Sequence, residues 1–165
     1  MSAVDLVIKG AQLPDGKTAD ICIQGESIID VTASYKGESV TTIDAKGCVA
    51  LPGLVDLHTH LREPGREDAE TVLSGSKAGA KGGFTALSAM ANTSPVADTA
   101  GVVEQVYRLG QEAGLLDVFP IGAVTQGLKG ETLSEIGAMA DSVARVRVFS
   151  DDGNCVSDPL VMRRA

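Results

Sequence analysis

From Pro52 onward the chain alternates short apolar strands with helical segments, and this restricts the fold more than any other feature. Leu54-Val55-Asp56-Leu57-His58 reads as a strand. Ala69, Val72, Leu73, Ser76 and Ala80 then recur at helical spacing up to Gly82-Gly83. Phe84 to Met90 is a near-continuous apolar strand. Val102, Val106, Leu109 and Ala113 share one face of a second helix, which Asp98 or Thr99 can cap and Gly114 stops. Val118 to Val124 reads as a third strand, Leu133 to Ala140 as a short helix and Val146 to Phe149 as a fourth strand. Strands separated by helices need crossover connections, and crossovers make a parallel sheet. Continuous apolar strands imply that both faces of that sheet are covered.

The first fifty residues follow another pattern. Val4 to Gly10 opens with an apolar run. Ala19 to Ile23 and Ser27 to Val31 flank Gln24-Gly25-Glu26, a hairpin signature. Ser39 to Ile43 and Cys48 to Leu51 flank a second turn, Asp44-Ala45-Lys46-Gly47. The expectation is a small antiparallel β unit over residues 1–52, followed by an α/β part over residues 53–165.

Composition excludes several classes of function. A formal net charge of −8 argues against a nucleic-acid partner. No apolar run approaches the roughly 20 residues that span a bilayer. Three cysteines imply no disulfide framework and fit a reducing, cytoplasmic setting. Cys22, Cys48 and Cys155 share no ligand spacing; Cys22 reads as core and Cys155 as structural. The glycines between Gly75 and Gly83 match no nucleotide-binding loop and read as helix packing.

The polar residues gather where each strand ends. His58 and His60 follow the first strand of the α/β part, Asn92 the second, Thr125 and Gln126 the third, and Asp151 and Asp152 the fourth. The carboxyl ends of parallel strands form the active face of such folds. Side chains at i and i+2 of an extended segment point the same way, so His58 and His60 can grip one metal ion, with Asp56 on the same face. Taken singly, each residue has a plain reading. A histidine can be a hydrogen-bonded loop residue, Asp-Asp-Gly a turn, Arg62 a surface ion-pair partner and Asn92 a loop cap. Both histidines of the chain lie in one strand end, however, and that concentration favours a metal site. A carboxylate from Asp151 or Asp152 can bridge two cations. Arg62 offers a planar fork to a substrate carboxylate.

The string Pro52-Gly53-Leu54-Val55-Asp56-Leu57-His58-Thr59-His60-Leu61-Arg62-Glu63-Pro64-Gly65 resembles the amidohydrolase superfamily, and class I dihydroorotases within it. Gly82-Gly83-Phe84-Thr85, Met90-Ala91-Asn92-Thr93, Phe149-Ser150-Asp151-Asp152-Gly153 and Ile43-Asp44-Ala45-Lys46-Gly47 agree in order. Ala91 departs from the family, which commonly has proline there. The resemblance implies the N-terminal part of a metal-dependent (β/α)8 TIM barrel, preceded by part of a small antiparallel β-sandwich. It implies zinc, two ions per complete site, and a zinc-bound hydroxide that opens the cyclic amide of dihydroorotate to N-carbamoyl-aspartate in pyrimidine biosynthesis. His58, His60 and Asp152 (alternatively Asp151) would be metal ligands; His60, Arg62 and Asn92 would contact substrate. The general acid/base aspartate is expected beyond residue 165, as are two further histidines. The chain therefore reads as an N-terminal fragment, inactive alone, with exposed sheet edges. A homo-oligomer is expected for the whole enzyme, with aspartate transcarbamoylase as a further partner. The rivals are an allantoinase, a hydantoinase, or a non-catalytic scaffold for aspartate transcarbamoylase.

Overall fold

The hairpin anticipated around Gly25 forms from β2 (Thr18–Gln24) and β3 (Ser27–Thr32). The computed structural model describes residues 3–165, and the chain divides after Pro52 into two units. In the first unit β2 also pairs antiparallel with β1 (Val4–Gln12), setting Val7 opposite Cys22. β4 (Ser39–Asp44) lies on the other edge of β1 and runs parallel to it, giving the order β3-β2-β1-β4. The unit is thus one mixed sheet, where an antiparallel one was expected. The described residues of this unit form no second sheet of a sandwich.

The second hairpin is absent for a definite reason. Asp44-Ala45-Lys46-Gly47 does not reverse the chain. Ala45 N–H donates to Lys9 O at 2.8 Å, and Val49 then rejoins the same edge of β1, parallel and opposite Gln12. Cys48 to Leu51 is therefore reduced to a single bridge. Gly10 sits at the bulge in β1 with φ +73°, and a Cβ there would lie 3.0 Å from Cγ of Lys46.

Val4, Val7 and Cys22 form the buried core of this unit, with Tyr35 against them. Burial pushes the Cys22 thiol pKa up. Asp20 is buried too, and its two oxygens are used. Oδ2 accepts the Tyr35 N–H and Oδ1 the Gly10 N–H, each at 2.9 Å. One carboxylate thus pins both the bulge and the crossover at 33–38. These bonds, that of Tyr35 foremost, hold its pKa below the ordinary value.

The second unit is built on three parallel strands in the order β5 (Leu54–Thr59), β6 (Phe84–Ala89) and β7 (Asp117–Pro120). The third strand is shorter than expected because Pro120 has no N–H for the ladder. Pairing continues as single bonds, with Ile121 N–H on Ala89 O at 2.8 Å. The fourth strand survives as a parallel bridge between Phe149 and Gly122, with Gly122 N–H on Val148 O and Ser150 N–H on Gly122 O at 3.1 and 2.9 Å.

The helices α1 (Val72–Lys81) and α2 (Ala100–Ala113) follow β5 and β6. α1 starts on a reciprocal Thr71–Ser74 capping box and ends at Gly82. The buried positions of α2 are Val103, Val106 and Gly110, a stripe turned from the expected Val102–Val106–Leu109–Ala113 face. The turn follows from Gly110, where the helix meets β7. A Cβ there would lie 2.5 Å from Cβ of Val118. Thr99 is the N-cap, but its side chain makes no capping bond, and Asp98 accepts the Gly127 N–H instead.

Leu61, Val72, Leu87, Ala89, Val106 and Val118 fill the helix–sheet layer. A second cluster centres on fully buried Met139 of α3 (Ile136–Asp141). α3 begins later than expected because Leu133 is bridged to Thr125, and Ser134 N–H bonds Val124 O. Asp158 caps the last helix, α4 (Pro159–Arg164). β5 is an edge strand, with Leu54, Val55 and Leu57 exposed by 48%, 56% and 74%.

Candidate metal centre

Three strand ends deliver the site. His58 lies within β5, and His60 follows it by one residue. Asn92 follows β6, and the Phe149 bridge places Asp152 at the same carboxyl edge. The extended backbone puts the two imidazoles side by side, with ring centroids 5.2 Å apart. Asp152 faces both. Its Oδ1 is 3.3 Å from His58 Nε2, and its Oδ2 is 3.5 Å from His60 Nε2. The three ligand atoms lie within 4.8 Å of one another.

Asn92 closes the arrangement. Its Nδ2 donates to Asp152 Oδ2 at 3.3 Å, and its Oδ1 is 2.9 Å from His60 Nδ1. A carboxylate only accepts, so the amide must turn its NH2 toward Asp152 and its oxygen toward His60. His60 then donates from Nδ1, and its Nε2 faces Asp152 Oδ2. Ligand atoms held tetrahedrally at about 2.0–2.2 Å from zinc sit roughly 3.3 Å apart, so the donor set fits such an ion.

The other sequence candidates fall in different places. Asp56 is not in the cluster, because its Oδ1 accepts the backbone N–H of His58 at 3.0 Å. Asp151, the alternative bridging carboxylate, lies outside the His58–His60–Asp152 group. It is buried, and Oδ1 accepts the N–H groups of Val124 and Thr125 at 2.8 and 3.0 Å. Its Oδ2 accepts the Thr125 hydroxyl. Three of its roughly four lone-pair sites are thus taken by protein donors. Arg62 makes no ion pair among the described residues. It occupies the left-handed region at φ 61°, inside a tight turn closed by Glu63 N–H on Leu61 O at 2.7 Å. A non-glycine residue held there, two positions from His60, marks a constrained position. The sequence reading missed Glu63, whose Oε2 accepts Val72 N–H at 2.7 Å and so ties this turn to the start of α1.

A parallel α/β sheet brings two histidines and an aspartate together at its carboxyl edge, a group that could hold a metal ion. The chain belongs to the dihydro-orotase-like family, whose model matches residues 47–163. It is 64% identical over 165 residues to dihydroorotase of Leifsonia xyli subsp. xyli, and 60% identical over 159 residues to that of Streptomyces coelicolor. It covers 100% and 96% of itself in these alignments, but only 38% and 37% of the relatives' lengths. Among solved structures it resembles the L-hydantoinase (dihydropyrimidinase) of Arthrobacter aurescens, with TM-score 0.65 and 26% identity over 76% of this chain and 29% of that one. The D-hydantoinase (dihydropyrimidinase) of a Thermus species gives TM-score 0.53 and 27% identity over 73% and 28%. No helix among the described residues is long and apolar enough to cross a membrane.

Proposed function

We propose that this chain carries the first metal ligands and the substrate-carboxylate contacts of a dihydroorotase. The reaction is the reversible hydrolysis of the cyclic amide of dihydroorotate to N-carbamoyl-aspartate, within pyrimidine biosynthesis. The observation that carries the reading is Asp152, whose two oxygens each face one histidine Nε2. His58, His60 and Asp152 would hold zinc, with Asp152 as the carboxylate shared between two ions. Zinc so held supplies a water of lowered pKa and a Lewis acid for the amide carbonyl.

The chain's own residues do the rest of the work on this face. Asn92 fixes the His60 ring through Nδ1 and steadies Asp152 through its NH2. The Arg62 guanidinium is always charged, and its fork suits the carboxylate of the substrate. Asn92 shares that carboxylate, and His60 contacts the substrate beside it. The sheet is read as the opening strands of a (β/α)8 barrel. His58 and His60 are the only histidines here, so the reading requires further ligands and a general acid/base aspartate from beyond these 165 residues. A cytoplasmic homo-oligomer fits the family, with aspartate transcarbamoylase a further candidate partner.

The hydantoinase likeness supports a second reading, a cyclic amidase for rings without a carboxylate. Assay of the full-length protein on dihydroorotate, hydantoin and allantoin, with metal analysis, separates the two. Turnover of dihydroorotate with bound zinc is the expected result; a preference for hydantoin or allantoin overturns it.

A further inference from the structure

We infer that Asp151 is a positioning residue that locks the metal-ligating face of Asp152 to the loop after β7. The inference rests on the proposed metal site and goes beyond it, since Asp151 touches neither ligand nor substrate in that reading.

Asp151 is 5% exposed and carries no cationic partner among the described residues. Its oxygens instead take the Val124 N–H, the Thr125 N–H and the Thr125 hydroxyl. Thr125 is fully buried, and its Oγ1 in turn accepts the Gly130 N–H at 2.9 Å. One chain of bonds therefore runs from Asp151 through Thr125 to Gly130. It closes the 125–130 loop at the carboxyl edge where His58, His60 and Asn92 converge. Asp152 follows directly, inside the turn that Asn154 N–H closes on Asp151 O at 2.7 Å. Anchoring Asp151 on the loop side therefore sets the direction of Asp152 toward the histidines. A buried carboxylate is costly unless its oxygens are satisfied. Three donors meet that demand here, so the arrangement is specific.

The test is cobalt(II) titration of the metal-free full-length protein, read by visible absorption, together with kcat and KM on dihydroorotate. Partners that orient metal ligands typically change metal affinity by about 10–100-fold. Asp151→Ala is expected to weaken cobalt binding about tenfold or more, and Asp151→Asn, which keeps an acceptor for the two N–H groups, to restore most of it. Thr125→Val keeps the backbone bonds but breaks the link to Gly130. It is expected to raise KM and weaken cobalt binding about threefold, with the fold intact by circular dichroism. If Asp151→Ala does not fold, Thr125→Val decides. Cobalt affinity and KM unchanged in Thr125→Val overturn the proposal, as does a lowered melting temperature in Asp151→Ala with unchanged cobalt affinity. An unmodified protein that binds no cobalt also overturns it. Failure to turn over dihydroorotate, with the cobalt pattern intact, would sink the dihydroorotase reading and leave this inference standing.

Discussion

The Nδ1 of His60 lies 2.9 Å from the Oδ1 of Asn92. Because the amide's NH2 is committed to Asp152, this contact fixes which histidine nitrogen is free. Asn92→Ala is expected to release the ring to either tautomer and to weaken cobalt(II) binding about tenfold. Nitrogen-15 NMR of His60 with a cobalt titration checks both. An unchanged tautomer and affinity would restrict Asn92 to a substrate contact.

Metal removal is expected to act on stability as well as on turnover. A ligand that binds only the folded state stabilises it, by about 2.7 kcal/mol at a concentration 100 times its Kd. Dialysis against a chelator should lower the melting temperature, and added zinc should restore it. In His58→Ala the chelator should produce little further change. A melting temperature indifferent to both treatments would contradict the site.

Asp20 gives a pH dependence with a definite sign. Its folded-state pKa is depressed below 3.8, chiefly by the Tyr35 N–H and then by the Gly10 N–H. Its contribution is therefore full above that value and is lost as pH falls through the lower, folded one. Asp20→Ala strands two backbone donors and is expected to cost about 1–3 kcal/mol at neutral pH. Urea midpoints of the two proteins should converge as the solution is acidified. A gap constant with pH would mean that the carboxylate's charge is not what matters.

Gly110→Ala sets two effects against each other. Alanine gains about 1 kcal/mol of helix propensity over glycine. A Cβ only 2.5 Å from Cβ of Val118 forces α2 off β7, and such overpacking costs about 1–3 kcal/mol. The backbone of β7 cannot yield as a flexible side chain would, so packing wins and a net loss of stability is expected in thermal denaturation. A stabilised variant would show that the helix shifts freely.

These residues also show where sequence legibility ends. The alternation of apolar strands and helical patterns after Pro52 identified β5, α1, β6 and α2, although β5 leaves Leu54, Val55 and Leu57 exposed. The meeting of His58, His60 and one member of the Asp151–Asp152 pair could be anticipated from strand-end placement, and the family resemblance favoured Asp152. The direction of β4 could not. A parallel return and a hairpin begin with the same β-branched residues, and the difference lies in where the chain goes after Asp44. The division of labour in the acid pair was equally hidden, since Asp151 and Asp152 are chemically identical. Only the N–H groups of Val124 and Thr125, distant in sequence, tell them apart.

The open flank of β5 has a consequence for handling the chain in solution. Among the described residues its outer edge has no strand partner, and beside exposed Val55 and Leu57 it offers another copy of these 165 residues a strand to add to. Against this stands the net charge of −8, which makes approaching copies repel one another. That repulsion reaches only about 8 Å at physiological ionic strength and about 3 Å in molar salt, whereas strand pairing is short-ranged and survives screening. Colloidal behaviour is thus governed by salt: dilute buffer keeps copies apart, and concentrated electrolyte lets the flanks zip together.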